Sequence, residues 1–452
     1  MNTHTHTRSP IDHQAGLSLI ELLVAIALGG ILLGGAISLF VNNRATYEIT
    51  NEMARLQENA RFALQLLGKD IRMAGHVGCV NDVTKVNDNI FANTPPSTPP
   101  AADGRLARFT HGIEGFESGA GSWLPSGHTG ENGAAAADSG AIIVGNPGLY
   151  GAFLADSDGI TVRYLRGNRA SAALLEADAG NDTFGNPKTG VINEVVNKSP
   201  NDASDSNPVL QIRSNTATGA PTFNAVDGQV LAVADCGAVD IFQLNGAPGT
   251  VNVNGTTEDT TNVVSVSTFT AQRGSPAIGV GTALKRSYEL GNRAVVMPFV
   301  GVRYFVRLNS SGNAALHRTT LLIGGLTETT VELVDGVQSM QILYGVDSDQ
   351  DGAPNAFLSA GQTGVADPLD ATKTINLTTR NDYLAVVAVK VSLLLSTTEE
   401  HGATPDLKVY DVGNERFCSD GLVADPVCTL TYTADFHRRR VFQTTIAVRN
   451  VQ

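Results

Sequence analysis

The stretch that decides the fold is residues 16–41, GLSLIELLVAIALGGILLGGAISLFV. Apart from one acid and two serines, Leu17–Val41 is apolar. As a helix this run would be about 37 Å long, at ~1.5 Å per residue, which is enough to cross a bilayer. A secretory signal has its small residues after the apolar run, whereas Gly16 comes before this one. The acid, Glu21, lies inside the run, where an unpaired carboxylate is costly, so Glu21 needs a partner or a function.

The helical pattern continues beyond the apolar run. Apolar residues recur at spacings of three and four, and form one stripe. They are Ile49, Met53, Leu56, Ala60, Leu64, Leu67, Ile71 and Ala74. No Pro interrupts residues 17–74, and Gly75 follows, as is typical of a helix end. We therefore predict one long helix, with a membrane-spanning part at 17–41 and an amphipathic part at 42–74 that packs on a head.

The composition limits the class of protein. The chain has 452 residues and a formal net charge of −13, which argues against a general nucleic-acid binder. Hydrophobic residues make up 42% and charged residues 17%, so a sizeable core is expected. The 47 glycines favour turns and strands over a helical bundle.

The rest of the chain, 75–452, predicts a β-rich head. Alternating or β-branched runs occur at 160–165, 302–306, 384–395 and 441–448. With the helix, they predict an α+β fold in which the N-terminal helix packs on an antiparallel sheet. The Pro-, Gly- and Ala-rich stretch at about 81–140 is interpreted as a surface insertion. The short basic run 438–440 is either a solvated strand start or a surface that faces a partner.

The four cysteines are Cys79, Cys236, Cys418 and Cys428, and they allow three pairings. No C-x-x-C is present, which argues against a zinc ribbon or a thioredoxin-type site. The even count and the membrane-directed N-terminus favour disulfides in an oxidising compartment, and four buried free thiols are the alternative.

No nucleotide-binding, zinc-protease or hydrolase motif is present in the sequence, so no catalytic residue is predicted. One acidic run has two interpretations: Asp347, Asp349 and Asp351 alternate and are followed by Gly352. They predict either a partial calcium loop completed by distant carboxylates or a solvated acidic turn. A full EF-hand is excluded because position 358 is a leucine.

Residues 16–25, GLSLIELLVA, resemble the N-terminal signal of type IV prepilins. The resemblance implies that residues 1–16 are a leader, that a prepilin peptidase cuts after Gly16, and that Leu17 becomes an N-methylated N-terminus. It also implies that Glu21 pairs with the terminal amine of its own chain or of a neighbouring subunit and so sets the filament register. The alternative is a plain single-pass anchor with an incidental acid.

Further stretches resemble the PilW family of type IV pilus minor pilins. They are 55–63, 70–79, 235–242, 333–337, 344–347 and 438–450. The resemblance at 70–79 and 235–242 supports a disulfide Cys79–Cys236. Cys418 and Cys428 are close in sequence, around Gly421 and Pro426, and we expect them to close one short loop. The resemblance also implies a protein that is first inserted once in the inner membrane with a periplasmic head, and that then lies at the pilus tip and primes assembly.

The partners implied are the prepilin peptidase, other minor pilins, the major pilin and a PilY-type tip adhesin, and no nucleic acid. Two alternatives stay open from the sequence: a minor pseudopilin of a type II secretion system, and a membrane-anchored periplasmic binding domain or enzyme.

Overall fold

The fold was examined in a computed structural model. It describes residues 18–80, 85–88, 106, 109, 112–119, 122–125, 157–166, 172–173, 196–197, 209–214, 229–244, 249–252, 265–272, 295–321, 328–370, 372–377, 380–400, 404–420, 428–432 and 434–449. Within these residues the chain forms one long α-helix, α1 (Leu19–Met73), a 3₁₀ helix (Arg380–Ala385) and strands grouped in four sheets. The predicted α+β class, with a long N-terminal helix and antiparallel sheets, is confirmed.

The largest sheet contains the first fourteen strands in chain order. They are β1 (Val86–Asp88), β2 (Ile113–Gly119), β3 (Ser122–Pro125), β4 (Gly159–Leu165), β5 (Ala172–Ala173), β6 (Val196–Asn197), β7 (Val209–Ser214), β8 (Val230–Ala234), β9 (Val239–Leu244), β10 (Gly249–Asn252), β11 (Ser265–Gln272), β12 (Val295–Leu308), β13 (Ala314–Leu321) and β14 (Glu328–Asp335). Its main path runs β3-β2-β4-β12-β8-β9-β11-β7-β6. The 14-residue β12 holds the sheet together, because one half pairs with β4 and β13 and the other with β8 and β5.

The second sheet has four strands in the order β16-β15-β19-β23. Their bounds are β15 (Val337–Val346), β16 (Ala356–Leu358), β19 (Val386–Ser396) and β23 (Arg439–Ala447). β17 (Val365–Ala366) and β18 (Thr374–Ile375) form a small hairpin. A three-stranded sheet is made of β20 (Tyr410–Val412), β21 (Glu415–Ser419) and β22 (Leu430–Tyr432).

The main core lies where α1 meets both large sheets. Buried side chains of α1, among them Leu67 and Ile71, pack in one cluster with Val302 of β12, Ile342 of β15 and Ile446 of β23. Burying each such side chain stabilises the fold by about 1.5–3 kcal/mol. The stripe predicted from the sequence is the buried face from Leu56 onward, whereas its earlier members are only partly covered.

Two features differ from the sequence-based expectation. The helix begins at Leu19, because Ser18 has an extended backbone and caps it. The stretch 81–140 is not only a surface insertion, since Ile113 and Phe116 of β2 are buried and β2 pairs with β4. Alternating apolar residues are few there, so the sequence gives little sign of this strand.

Candidate functional site: the N-terminal helix and its anchorage

The first turn of α1 is closed by a reciprocal pair of hydrogen bonds. The backbone N–H of Glu21 donates to Oγ of Ser18 at 3.2 Å, and the backbone N–H of Ser18 donates to Oε2 of Glu21 at 3.0 Å. This capping box satisfies two N–H groups that a helix start leaves without partners. It also holds the Glu21 carboxylate against the turn that directly follows the predicted cleavage point. Gly16 and Leu17 lie outside the described residues, so cleavage and methylation stay predictions.

The first half of α1 presents an apolar surface to its surroundings on every side. All large hydrophobic side chains from Leu19 to Val41 are more than half exposed. The four glycines at 29, 30, 34 and 35 face open space, so a Cβ atom at any of them would contact no other part of the described chain. In the described residues, α1 is the one helix long and apolar enough to cross a membrane. A helix that is apolar on every side must be surrounded by lipid or by other helices. The glycines at 30 and 34 would allow another helix to approach closely.

The second half of α1 is fixed to the head through a buried acid, Asp70, which is 3% exposed. Its carboxylate accepts hydrogen bonds from the hydroxyls of Tyr164 (2.9 Å) and Tyr304 (2.5 Å). Arg318 forms an ion pair with it at 3.2 Å. These donors come from β4, β12 and β13, so one helical side chain ties α1 to three strands.

The electrostatics of this anchor keep its two phenol hydroxyls protonated. Burial, together with the nearby charge of Asp70, raises the pKa of Tyr164 to about 12. The same two causes raise the pKa of Tyr304 further. Both phenols therefore remain protonated donors at physiological pH. The role of Asp70 was not predicted from the sequence, although its position one residue before Ile71 and three after Leu67 puts it beside the apolar stripe.

Both predicted disulfides are present in the structure. Cys79 bonds Cys236 with a Cα–Cα distance of 4.9 Å, and Cys418 bonds Cys428 at 5.8 Å. The first joins the segment just after α1 to the turn between β8 and β9, 157 residues away in sequence. The second joins β21 to the residues before β22 and closes a loop of sequence separation 10. No free cysteine is left.

The acidic run forms a tight turn after β15. Oδ1 of Asp347 accepts N–H groups of residues 349 and 350, and its Oδ2 accepts the N–H of Gly352. One carboxylate oxygen from each of Asp347, Asp349 and Asp351 lies within 4.8 Å of the others. The turn borders a cleft of about 720 Å³ that two further acids, at 367 and 382, also line. Backbone N–H groups hold this turn together with the hydroxyl of Ser348, which donates to Oδ1 of Asn355 at 3.1 Å. Calcium binding there stays a prediction.

The basic run at the start of β23 is only partly solvated, which corrects the first interpretation of it. Arg439 is buried and donates two hydrogen bonds to Asp435 at 2.6 and 2.7 Å and one to Gln338 at 2.7 Å. Its guanidinium lies 4.2 Å from the ring centre of Tyr432. This arginine therefore fastens the three-stranded sheet to the second sheet. Arg440 stays exposed.

Two family models match the chain. Residues 11–37 match the prokaryotic N-terminal methylation motif, and residues 303–450 match PilW, the type IV pilus-assembly protein W. The first match contains Glu21 and most of the exposed apolar surface. The second runs from within β12 to just past β23, and so contains the second sheet and Arg318 of the anchor. No curated protein and no solved structure matches the chain.

Proposed function

We propose that this chain, whose PilW and N-terminal methylation matches are those of a type IV pilus minor pilin, primes pilus assembly and sits at or near the pilus tip. The observation that carries the proposal is the uneven burial of one helix. The half of α1 outside the head is apolar and exposed on every side, and the other half is locked into the head. An exposed apolar surface of this size marks a contact with a membrane or with other proteins.

The proposed mechanism is structural. Before assembly, the apolar half of α1 is buried in the inner membrane and the head stands in the periplasm. After cleavage behind Gly16, the same surface is buried among the helices of neighbouring pilins. Glu21 then sets the register, because a carboxylate in a water-poor bundle is tolerated only where it meets an amine. In this mechanism the protein acts by packing its helix and head against other subunits, and we expect no enzymatic activity.

The size of the head supports a position near the tip. The chain puts residues 75–452 on one helix, and both large sheets pack against the buried face of its second half. Repeated at every position of a helical shaft, such heads would collide, whereas one copy at the end of a fibre has room. The partners we propose are other minor pilins, the major pilin and a PilY-type tip adhesin, with the prepilin peptidase acting before assembly.

The test is a charge-removing change at Glu21. Glu21→Gln keeps the size of the side chain and can still cap the helix, but it has no charge to pair with an amine. We expect normal membrane insertion and normal cleavage, with about a tenth or less of the wild-type amount found in sheared pili, since a buried unpaired amine costs several kcal/mol. Immunoblots of membranes and of sheared pili, in a strain lacking the native protein, measure both quantities.

The matched control is Glu21→Asp, which keeps the charge on a shorter side chain. We expect it to fall between wild type and Glu21→Gln, because the charge is retained but displaced. Wild-type piliation with Glu21→Gln would show that the charge does not set the register. Normal pili in a strain that lacks the whole chain would refute the priming role.

A further inference from the structure

The second sheet ends in an uncovered strand. β23 pairs with β19 on one side, and no strand in the described part of the chain pairs with its other side. An edge of nine residues is long enough to template another strand, and folded proteins usually keep such edges short, covered or charged.

The direction of the backbone groups along β23 follows from the hydrogen bonds at its two ends. The N–H of Val448 donates to Val387, and the C=O of Arg438 accepts from Thr397. Even-numbered residues therefore face β19, and the alternation of an antiparallel ladder turns odd-numbered residues outward. Val441, Gln443, Thr445 and Ala447 thus present their N–H and C=O groups to the outside, and none of these groups has a hydrogen-bond partner among the described residues.

The charge along this edge is of one sign. Residues 438–449 contain arginines and no acid, although the whole chain carries −13. Arg440 lies over the ring of Phe442 at one end of the strand, at 5.5 Å. At the other end, the backbone N–H of Arg449 donates a hydrogen bond to the C=O of Arg72 at 3.4 Å, so α1 meets the edge there, and Nη1 of Arg72 lies near Gly68. Arg440, Arg449 and Arg72 are exposed and form no ion pair within the described residues.

We propose that the outer edge of β23 binds an extended acidic strand from a neighbouring protein of the filament, which joins the second sheet as a fifth strand. The free N–H and C=O groups supply the main-chain hydrogen bonds, and arginines at both ends select acidic side chains. This choice of partner rests on the proposed function. If α1 packs among the helices of neighbouring subunits, the heads of those subunits come close to the β23 edge.

A second copy of this chain fits the edge poorly. Two β23 strands paired antiparallel would bring together residues 438–449 of each copy, which contain arginines and no acid. Like charges close together across a sheet destabilise the pair. An acidic strand from a different subunit avoids this repulsion.

The binding test uses the full chain in detergent and fluorescent nine-residue peptides of alternating Thr and Val. One peptide carries Asp at both ends, a second carries Lys there, and a third is the Asp peptide with N-methyl groups on every other amide. We expect saturable binding of the first alone, which weakens as salt is raised because exposed charges are screened. Equal binding of the Asp and Lys peptides, or undiminished binding of the N-methylated peptide, overturns the proposal.

Variants of the β23 edge test separately the outward backbone N–H groups and the arginine charges at its two ends. Thr445→Pro removes an outward N–H without touching the bonds to β19, and Thr445→Val is its matched control. Arg440→Glu with Arg449→Glu reverses the end charges, and Lys373→Glu with Lys408→Glu makes the same change in net charge elsewhere. We expect each edge variant to weaken binding of the Asp peptide about tenfold, with an unchanged unfolding midpoint and unchanged controls. Unchanged affinity in the charge-reversed variant overturns the proposal.

The same variants distinguish this proposal from the proposed function. If Glu21→Gln blocks entry into pili while both edge variants enter normally, the minor pilin role stands and the edge does not serve assembly. Concentration-dependent dimers that are lost in Thr445→Pro would assign the edge to a second copy and so refute the acidic partner.

Discussion

The two halves of α1 differ both in composition and in surroundings. From Leu19 to Val41 the large apolar side chains are exposed all round, whereas from Leu56 to Met73 one face is buried between two sheets. The outer half is apolar on every side. The inner half confines its apolar residues to a stripe and adds one buried acid, Asp70.

This difference assigns two roles to α1: the outer half serves assembly, and the inner half serves the stability of the head. The outer half contributes nothing to the core of the head, so changes there should leave the unfolding of the head unaltered. The inner half is held by the core, by the hydrogen bonds to Asp70 and by the disulfide just beyond the helix. Changes there should lower the stability of the head and leave processing at the N-terminus intact.

The largest effect on processing is expected from a change at Gly16, just before α1 begins. Gly16→Val puts a branched side chain at the predicted cleavage point, where the resemblance to prepilins requires a small residue. We expect cleavage to be abolished and a longer precursor to remain in the membrane, with the unfolding midpoint of the head unchanged. Immunoblots with and without the prepilin peptidase measure it. Equal sizes of the wild-type protein in both strains would remove the basis for this site.

The disulfide at the end of the inner half should matter more for stability than the second one. In the chain-entropy description, a loop of over a hundred residues contributes about 5 kcal/mol and a loop of about ten contributes 2–3 kcal/mol. We expect Cys79→Ser with Cys236→Ser to lower the free energy of unfolding about twice as much as Cys418→Ser with Cys428→Ser. Denaturant unfolding of both double variants measures the ratio, and equal losses would contradict it.

Asp70 should be the most sensitive single position of the inner half. Asp70→Ala leaves the guanidinium of Arg318 and two phenol hydroxyls in the core without their acceptor. Breaking a buried pair in this way costs about 3–5 kcal/mol. Asp70→Asn is the matched variant, because its amide oxygen can still accept, and we expect a smaller loss. Unfolding of both variants within about 0.5 kcal/mol of wild type would show that the anchor is dispensable.

Glu117 of β2 contrasts with Asp70. The carboxylate of Asp70 is well partnered, whereas one carboxylate oxygen of Glu117 is buried and has no hydrogen-bond partner in the described part of the chain. Burial, and then the charge of Glu415, raise its pKa from 4.5 to about 7, against a backbone hydrogen bond from Ala360 that lowers it. The folded protein thus keeps this proton where the unfolded chain has lost it. The stabilising contribution is complete below pH 4.5 and is lost as the pH rises to 7.

Glu117→Gln should accordingly stabilise the protein at pH 8, by about 1–2 kcal/mol after allowance for partial exposure, and have little effect at pH 4. Thermal unfolding at both pH values measures the difference. Glu415→Gln is the control, and should give a smaller gain because it removes only the repulsion. A gain of the same size at pH 4 and pH 8 would rule out the titration of Glu117 as the cause.

Much of the fold could be predicted because it depends on local patterns. The stripe from Leu56 to Ala74 marked the buried face of α1, and the runs at 160–165 and 302–306 lie in β4 and β12. The strand predicted at 384–395 is β19, inside the second sheet. The partners of Asp70 lie on strands far away in sequence, so no local pattern could identify them. The same holds for Arg439, whose burial depends on the three-stranded sheet.

By itself, the sequence determined that α1 would be long, that its first half would be apolar on every side, and that an acid would follow the predicted cleavage point. These are properties of residue order, and helix geometry converts them directly into surfaces. Only the tertiary structure decided which acid is buried against tyrosines and an arginine, and which strand of the second sheet is left with an open edge. Both depend on how distant strands pair, because hydrogen-bond partners and sheet edges exist only once the whole chain has folded.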